Sequence, residues 1–235
     1  MKNNLQIIPI EMLEYSTGYK LQKNLHSQML ENSDINSLII LQHPHVYTLG
    51  RRADQNDILI DSKKLAKLKI QKHISNRGGE ITYHGPGQLV IYPLINLKKL
   101  QISPIEYIRI IEEIIINTLS EISIDAARKN ECPGGVWVNQ KKIAAIGVRI
   151  SRGITTHGFS LNVSTNLSYY KHIIPCGNPL ETYTSISEIL NENIPITKIR
   201  NIIIKQICKK LNLKPKQVNI ENFNKEHSIT PIKLI

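Results

Sequence analysis

The sequence predicts an α+β fold, mixed sheets flanked by helices, from three observations. Several short segments are rich in Val, Ile and Leu with strand-like spacing, two long stretches carry an apolar stripe at helical spacing, and no repeat or linker separates them. A chain of 235 residues is long enough to bury one sizeable core, so residues 1–235 are read as a single domain.

In chain order, Leu21, Leu25 and Met29 recur every four residues, as on one face of an amphipathic helix. SLIILQ (37–42) follows as a buried strand, and HPHVYTLGRRAD (43–54) reads as a loop-rich connection. His43 and His45 flank Pro44, but no third ligand lies at metal-binding spacing, so both read as turn and packing residues and no metal is expected. QLVIYPLINL (88–97) reads as a strand. The clearest helix is SPIEYIRIIEEIIINTLSEIS (103–123), with Ser103 as N-cap, Pro104 at the first helical position and Glu106 closing a capping box. Its predicted buried stripe is Ile105, Ile108, Ile111, Ile115, Leu119 and Ile122. GVWV (135–138), KKIAAIGVRI (141–150) and ITTHGFSLNV (154–163) read as strands, the last two joined by a turn at Ser151 to Gly153. TKIRNIIIKQICKKLNL (197–213) is a second long helix with Ile199, Ile203, Ile207 and Leu211 as its stripe, and Cys208 reads as a packed thiol within it. From about Lys214 to 235 the tail is polar and reads as a surface appendage.

The chain is 41% hydrophobic and 21% charged, the balance of a soluble globular protein. A net charge of +11 admits nucleic acid, an anionic membrane or acidic proteins as partners. Aromatics make up only 5%, and no basic run is interleaved with Phe or Tyr as a stacking groove requires, which argues against nucleic acid. No apolar run approaches the length of a membrane span or a signal peptide, so no membrane is expected and a cytoplasmic location is. Cys132, Cys176 and Cys208 lie far apart without a CxxC, which suits a reducing compartment and argues against structural zinc or a disulfide framework.

Three stretches carry unusual local constraints. In RGGEITYHGPGQ (77–88), Gly78 and Gly79 permit either an ordinary hairpin turn or the close approach of a ligand to the main chain. Alternation from Glu80 to His84 puts Thr82 and His84 on one face, able to line a pocket, and Ile81 and Tyr83 on the other, able to pack. The stretch lacks the Gly-Lys-Ser/Thr ending of a phosphate loop. In QKKIAAIGVR (140–149), alternation groups Lys142 with Ala144 and Ile146, and Lys141 with Ile143 and Ala145, so one of the two lysines can turn inward. In IIPCGNP (173–179), Pro175 and Gly177 hold Cys176 on a turn. A nucleophilic cysteine needs a nearby cation or base, for which His157 and Lys142 are candidates, and residue types alone leave Cys176 open between a nucleophile and a packed thiol.

Taken together, these stretches resemble the octanoyltransferases, the lipoyl(octanoyl) transferases of lipoate biosynthesis. RGGEITYHGPGQLVIY (77–92) meets every fixed position of that family's Arg-Gly-Gly-x-x-Thr-aromatic-His-x-x-Gly-Gln-x-x-x-Tyr signature, and the likeness runs through HPHVYTLG, GVWV, KKIAAIGVR, HGFSLNV and IPCG, roughly residues 38 to 180. The chain departs from the family's usual wording at His45, where a second proline is more common, at Phe159-Ser160 in place of Leu-Ala, and in GNPLETYTSI after Cys176.

The resemblance implies a catalytic core akin to those of biotin-protein ligases and lipoate-protein ligases. It implies that Cys176 is the acyl-thioester nucleophile, that Lys142 is its basic partner, and that Arg77, Gly78, Gly79, Glu80, Ile81, Thr82, Tyr83, His84, Ala145, Ile146, Gly147, Gly158, Phe159 and Ser160 line the acyl site. The implied donor is octanoyl-acyl carrier protein. The implied acceptors are the lipoyl domains of 2-oxoacid dehydrogenase E2 subunits and the glycine cleavage H protein, with no cofactor. These partners are acidic as families, which would give the basic surface a use. A lipoate-protein ligase is the nearest rival, sharing the fold and the strand lysine but activating free acid with ATP; a basic nucleic-acid-binding module is a more distant one.

Overall fold

Strand β1 (Asn4–Pro9) leads into helix α1 (Tyr15–Glu31) and strand β2 (Ile35–Leu41) of a computed structural model that describes residues 4–31, 35–129, 133–175, 179–218 and 223. Cys132 and Cys176 lie outside the described residues. There follow β3 (Val46–Leu49), α2 (Ser62–Lys67), β4 (Gln71–Ile74), β5 (Ile81–His84), β6 (Gln88–Leu94), α3 (Leu97–Leu100) and α4 (Pro104–Ser120). The chain continues through β7 (Gly135–Val138), β8 (Lys141–Ser151), β9 (Ile154–Asn162), α5 (Ile186–Leu190), α6 (Ile196–Leu211) and β10 (Lys214–Gln217).

Seven strands form one mixed sheet in the order β10-β1-β2-β6-β9-β8-β7, and β4-β3-β5 form a second, smaller one. The apolar runs in β2 and β6 are continuous because both faces of the large sheet are covered. Leu38, Ile40, Leu89 and Ile91 face α4 and α6 across the main core, with Ile111, Ile115, Ile199 and Ile203 opposite. Their alternates Ile39, Leu41, Val90 and Tyr92 meet Leu21, Leu25 and Met29 of α1 on the other side. This is the α+β arrangement expected from several strands and two long helices with no linker between them.

Helix α4 begins as its sequence dictates. The Ser103 hydroxyl accepts from the Glu106 N–H at 3.2 Å while the Glu106 carboxylate accepts from the Ser103 N–H at 3.3 Å. Its buried face is rotated from the predicted stripe: Ile105 is 79% exposed, and Tyr107 and Ile114 are buried in its place.

Two further expectations are corrected. Residues 43–54 are not all loop, since Val46–Leu49 is the central strand of the small sheet, paired parallel with β4 and antiparallel with β5. The tail is also more than an appendage: Lys214–Gln217 adds a parallel strand to β1, and Phe223 is 4% exposed in the α1-side core. All four β10 side chains are exposed, so its polar composition is that of an edge strand held by backbone pairing. No helix among the described residues is long and apolar enough to cross a membrane.

Candidate active site

The two sheets meet around a cavity of about 580 Å³, counting the space open at its mouth. Three stretches far apart in sequence converge on it. Arg77, Gly79, Glu80, Ile81, Thr82 and His84 come from β5 and the loop before it, Ala145, Ile146 and Gly147 from β8, and Gly158, Phe159 and Ser160 from β9. Strands β8 and β9 pair directly, with Ala145 opposite Ser160, Ile146 opposite Phe159 and Gly147 opposite Gly158, which is why these two triplets share a wall.

Two residues of the 77–84 segment do not line the cavity. Gly78 packs on β8, its N–H donating to the Val148 carbonyl at 3.2 Å. Tyr83 turns to the small-sheet core, as alternation predicts, and its hydroxyl meets His45 Nδ1 at 2.8 Å. Gly79, at φ +85°, occupies backbone space that favours glycine and does border the cavity.

Gly158 is required by close approach. A Cβ built there would run into the Ile91 carbonyl oxygen and stand 2.6 Å from Pro93 Cδ on the adjoining strand β6. Gly158→Ala is therefore expected to destabilise the fold by about 1–3 kcal/mol through overpacking. A lowered urea midpoint with unchanged m-value checks this.

The signature's polar residues are tied into one network. Arg77 is buried and donates through Nε and Nη2 to the Thr48 hydroxyl at 3.1 and 2.9 Å, and through Nη1 to the Gly78 carbonyl at 3.0 Å, pinning the glycine loop to β3. His84 Nδ1 donates to Gln88 Oε1 at 2.7 Å. The Gln88 amide in turn donates to the Asn162 side chain and the Tyr170 hydroxyl, each at 3.0 Å. Tyr170 stacks on Tyr183 at 3.7 Å between ring centroids, and Tyr183 also lines the cavity. The fixed His-x-x-Gly-Gln spacing thus places a histidine and its amide partner across one turn between β5 and β6.

Tyr15, His84, Tyr92 and His157 give the cavity an uncharged aromatic side, with His43 packed against the first three of them. Burial lowers His43 to a pKa of about 4 and His84 to about 3, the latter further opposed by neighbouring His43. Burial, then the Arg77 guanidinium, lowers His157 to about 3. His43 donates to the Leu13 carbonyl through Nδ1 and accepts from the Tyr92 hydroxyl at 2.7 Å. Burial raises the Tyr15 and Tyr92 phenols, so they too stay neutral.

His157 does not serve as a base for the Lys142 end of the site. It pairs with Val148 in the β8–β9 ladder, six residues along β8 from Lys142, a separation of roughly 20 Å at strand rise. Its Nε2 donates to Asn76 Oδ1 at 2.8 Å.

Lys142 itself is buried, at 2% exposure. Strict alternation fails here because β7 and β8 shift register between Val136 and Trp137: Val136 faces Ala144 while Trp137 faces Lys142, leaving Ile143 as the extra residue of a bulge. Ile143 and Ala144 consequently both enter the main core, and Lys142 turns to a separate site. Its ammonium lies 2.8 Å from Glu181 Oε2 and 5.0 Å from the centre of the Trp137 ring. Trp137 Nε1 donates to Glu181 Oε1 at 3.1 Å. Lys141, by contrast, points outward to Glu188 at 3.1 Å with both side chains about half exposed.

The segment after Cys176 is anchored to this lysine. The Lys142 N–H donates to the Thr182 carbonyl at 2.8 Å and its carbonyl accepts from the Thr184 N–H at 3.0 Å, bracketing Tyr183. The segment before it is held by the Ile174 N–H donating to the Asp57 carbonyl at 2.8 Å. Cys176 falls between these anchors and outside the described residues. Sequence reasoning missed Tyr15, Trp137, Glu181 and Tyr183; of these only Trp137, the chain's single tryptophan, stood out in the sequence.

Comparison with known proteins places this geometry. The chain is 36% identical over 220 residues to the octanoyltransferase of Caldicellulosiruptor saccharolyticus, covering 93% of this chain and 94% of that one. Its fold matches a putative lipoate protein ligase of T. acidophilum at TM-score 0.75 and 16% identity, covering 97% of this chain and 92% of that one. It also matches the biotin protein ligase of Aquifex aeolicus at TM-score 0.54 and 17% identity, covering 89% and 70%. Residues 14–208 match the lipoyl protein ligase A/B catalytic domain. The chain belongs to that family and, within it, to the octanoyltransferases, and is an acyltransferase.

Proposed function

We propose that this octanoyltransferase takes its octanoyl group from acyl carrier protein and passes it to a lysine amine of a lipoyl domain, through a thioester on Cys176 with Lys142 moving the protons. Lipoyl domains of 2-oxoacid dehydrogenase E2 subunits and the glycine cleavage H protein are the acceptors in this reading. The observation that carries it is Lys142: a buried lysine whose backbone holds the segment that follows Cys176, beside a cavity lined by residues of β5, β8 and β9.

The chemistry needs no nucleotide. Exchange of one thioester for another is nearly neutral in energy, and conversion of a thioester to an amide is downhill. The octanoyl chain has a suitable bed between Ala145–Gly147 and Gly158–Ser160, where Ile146 and Phe159 supply apolar contact. Each tetrahedral intermediate needs an oxyanion donor. Gly78 is a poor candidate because its N–H is engaged by Val148; the Gly79 N–H, beside the cavity and given no partner by the described residues, is the better one. The chain's net charge of +11 would draw in acidic partner domains.

Incubation of the protein with octanoyl-acyl carrier protein, without ATP, is expected to add one octanoyl mass to the wild type, mapped by peptide mass to Cys176, and none to Cys176→Ala. Adding a lipoyl domain should move that mass to the acceptor. Wild-type-like acylation of Cys176→Ala would remove the thioester from the mechanism, and transfer only with ATP would favour a ligase.

A further inference from the structure

Beyond that reading, and resting on it, we infer that Glu181 is a positioning residue of the site, acting on Lys142 and itself oriented by Trp137. It holds the Lys142 amine in place and stabilises the ammonium each time that amine takes up a proton.

An exposed lysine keeps its charge in water whether or not it is paired, so a surface pair such as Lys141–Glu188 contributes little. Lys142 and Glu181 are instead both withdrawn from solvent, at 3% and 7% side-chain exposure, and burying two opposite charges is a weak route to stability. The carboxylate is also oriented by a second donor: Trp137 Nε1 takes Oε1 and leaves Oε2 for Lys142. An anion fixed beside a base by a second donor is the arrangement that orients the base and favours its protonated form. Glu181 lies in GNPLETYTSI, the stretch where this chain departs from its family's usual wording, so the feature belongs to this chain's own residues.

The proton transfers balance as follows. In the first half, the Cys176 sulfur, as a thiolate whose proton is held on the Lys142 ammonium, bonds to the donor carbonyl carbon, and the bond from that carbon to the pantetheine sulfur breaks. The departing thiolate then receives the proton from Lys142, which becomes a neutral amine. In the second half, that amine takes a proton from the acceptor amine as the acceptor nitrogen bonds to the same carbon, and the bond from the carbon to the Cys176 sulfur breaks, restoring the thiolate and the ammonium. Each time the amine is an ammonium, the Glu181 carboxylate is its counter-charge.

Among the described residues, Lys129 Nζ lies 5.3 Å from the centre of the Trp137 ring, and Lys141 is engaged with Glu188. Tyr183, bracketed by the Lys142 backbone, is the nearest other ionisable side chain on the 181–184 segment.

The test measures Cys176 acylation by the octanoyl thioester of N-acetylcysteamine, by intact mass, from pH 6 to 10. Glu181→Gln is expected to slow acylation by about tenfold or more near neutral pH and to move the alkaline limb of the profile down by about one pH unit or more. Glu181→Asp, which keeps the charge, should return the limb to its wild-type position and restore part of the rate. Trp137→Phe, which keeps the carboxylate but removes its second donor, should slow the reaction with a smaller shift; it stands in if Glu181→Gln fails to fold. A wild-type profile in Glu181→Gln overturns the inference. So do equal losses in the Gln and Asp variants with an unmoved limb, since that pattern marks a purely structural role. If the wild type itself gains no octanoyl mass, the thioester reading fails and this inference with it; if the wild type is acylated normally, a failure belongs to Glu181 alone.

Discussion

Lys142→Ala is expected to cost about 3–5 kcal/mol of folding stability and at least about 100-fold in acyl transfer, two losses with separable origins. The stability loss comes from Glu181, which remains 7% exposed with its counter-charge gone. A buried carboxylate without a counter-charge is far more costly than a well-packed neutral pair. The activity loss comes from removing the group proposed to shuttle protons. The double variant Lys142→Ala/Glu181→Gln separates the two. With the charge removed from both positions, much of the stability should return while transfer stays low. Urea denaturation and the acylation assay, run on wild type, both single variants and the double, give the coupling energy directly. Additive stability losses would show that the 2.8 Å contact carries no net interaction.

The second large effect is in acid. His43, His84 and His157 are neutral in the folded protein, with pKa values of about 4, about 3 and about 3, against about 6.5 for an unfolded histidine. Below pH 6.5 the unfolded chain therefore binds protons that the native state refuses, so stability is fully present above 6.5 and falls as pH drops toward the folded values. At pH 5 each histidine withdraws on the order of 2 kcal/mol, and three together rival the whole stability of an ordinary domain. The melting temperature should fall steeply between pH 6.5 and 4.5, a window that opens above the one in which most carboxylates titrate. A level melting temperature across that range would contradict the neutral, buried state of these rings. Because His84 and His157 border the cavity, bound acyl chain should steepen the dependence by excluding water from the same rings.

The features legible in the sequence are those governed by near neighbours. The α4 start is written in Ser103, Pro104 and Glu106, because a capping box spans four consecutive residues. The paired strands β8 and β9 follow from their alternation and from the short turn at Arg152 and Gly153, both at positive φ. The cavity wall formed by 145–147 and 158–160 was legible through family resemblance, and the register of one hairpin accounts for it. The features that were not legible depend on pairing across distance. Val46–Leu49 becomes a strand only because β4 and β5 flank it. The Ile143 bulge, which sends Lys142 away from the core, is a property of the β7–β8 register and leaves no trace in the alternation of KKIAAIG. Tyr15 reaches the cavity from the first turn of α1, more than 60 residues from the glycine loop it faces. Glu181 has nothing local to mark it, since its role is set by Lys142 on one side and Trp137 on the other.

That last neighbour makes the protein its own fluorimeter. With one indole in the chain, hydrogen-bonded to Glu181 and lying 5.0 Å from the Lys142 amine, all of its emission originates beside these two charges. Acylation, proton loss or the arrival of an acceptor lysine can each be followed in real time, without a dye or label.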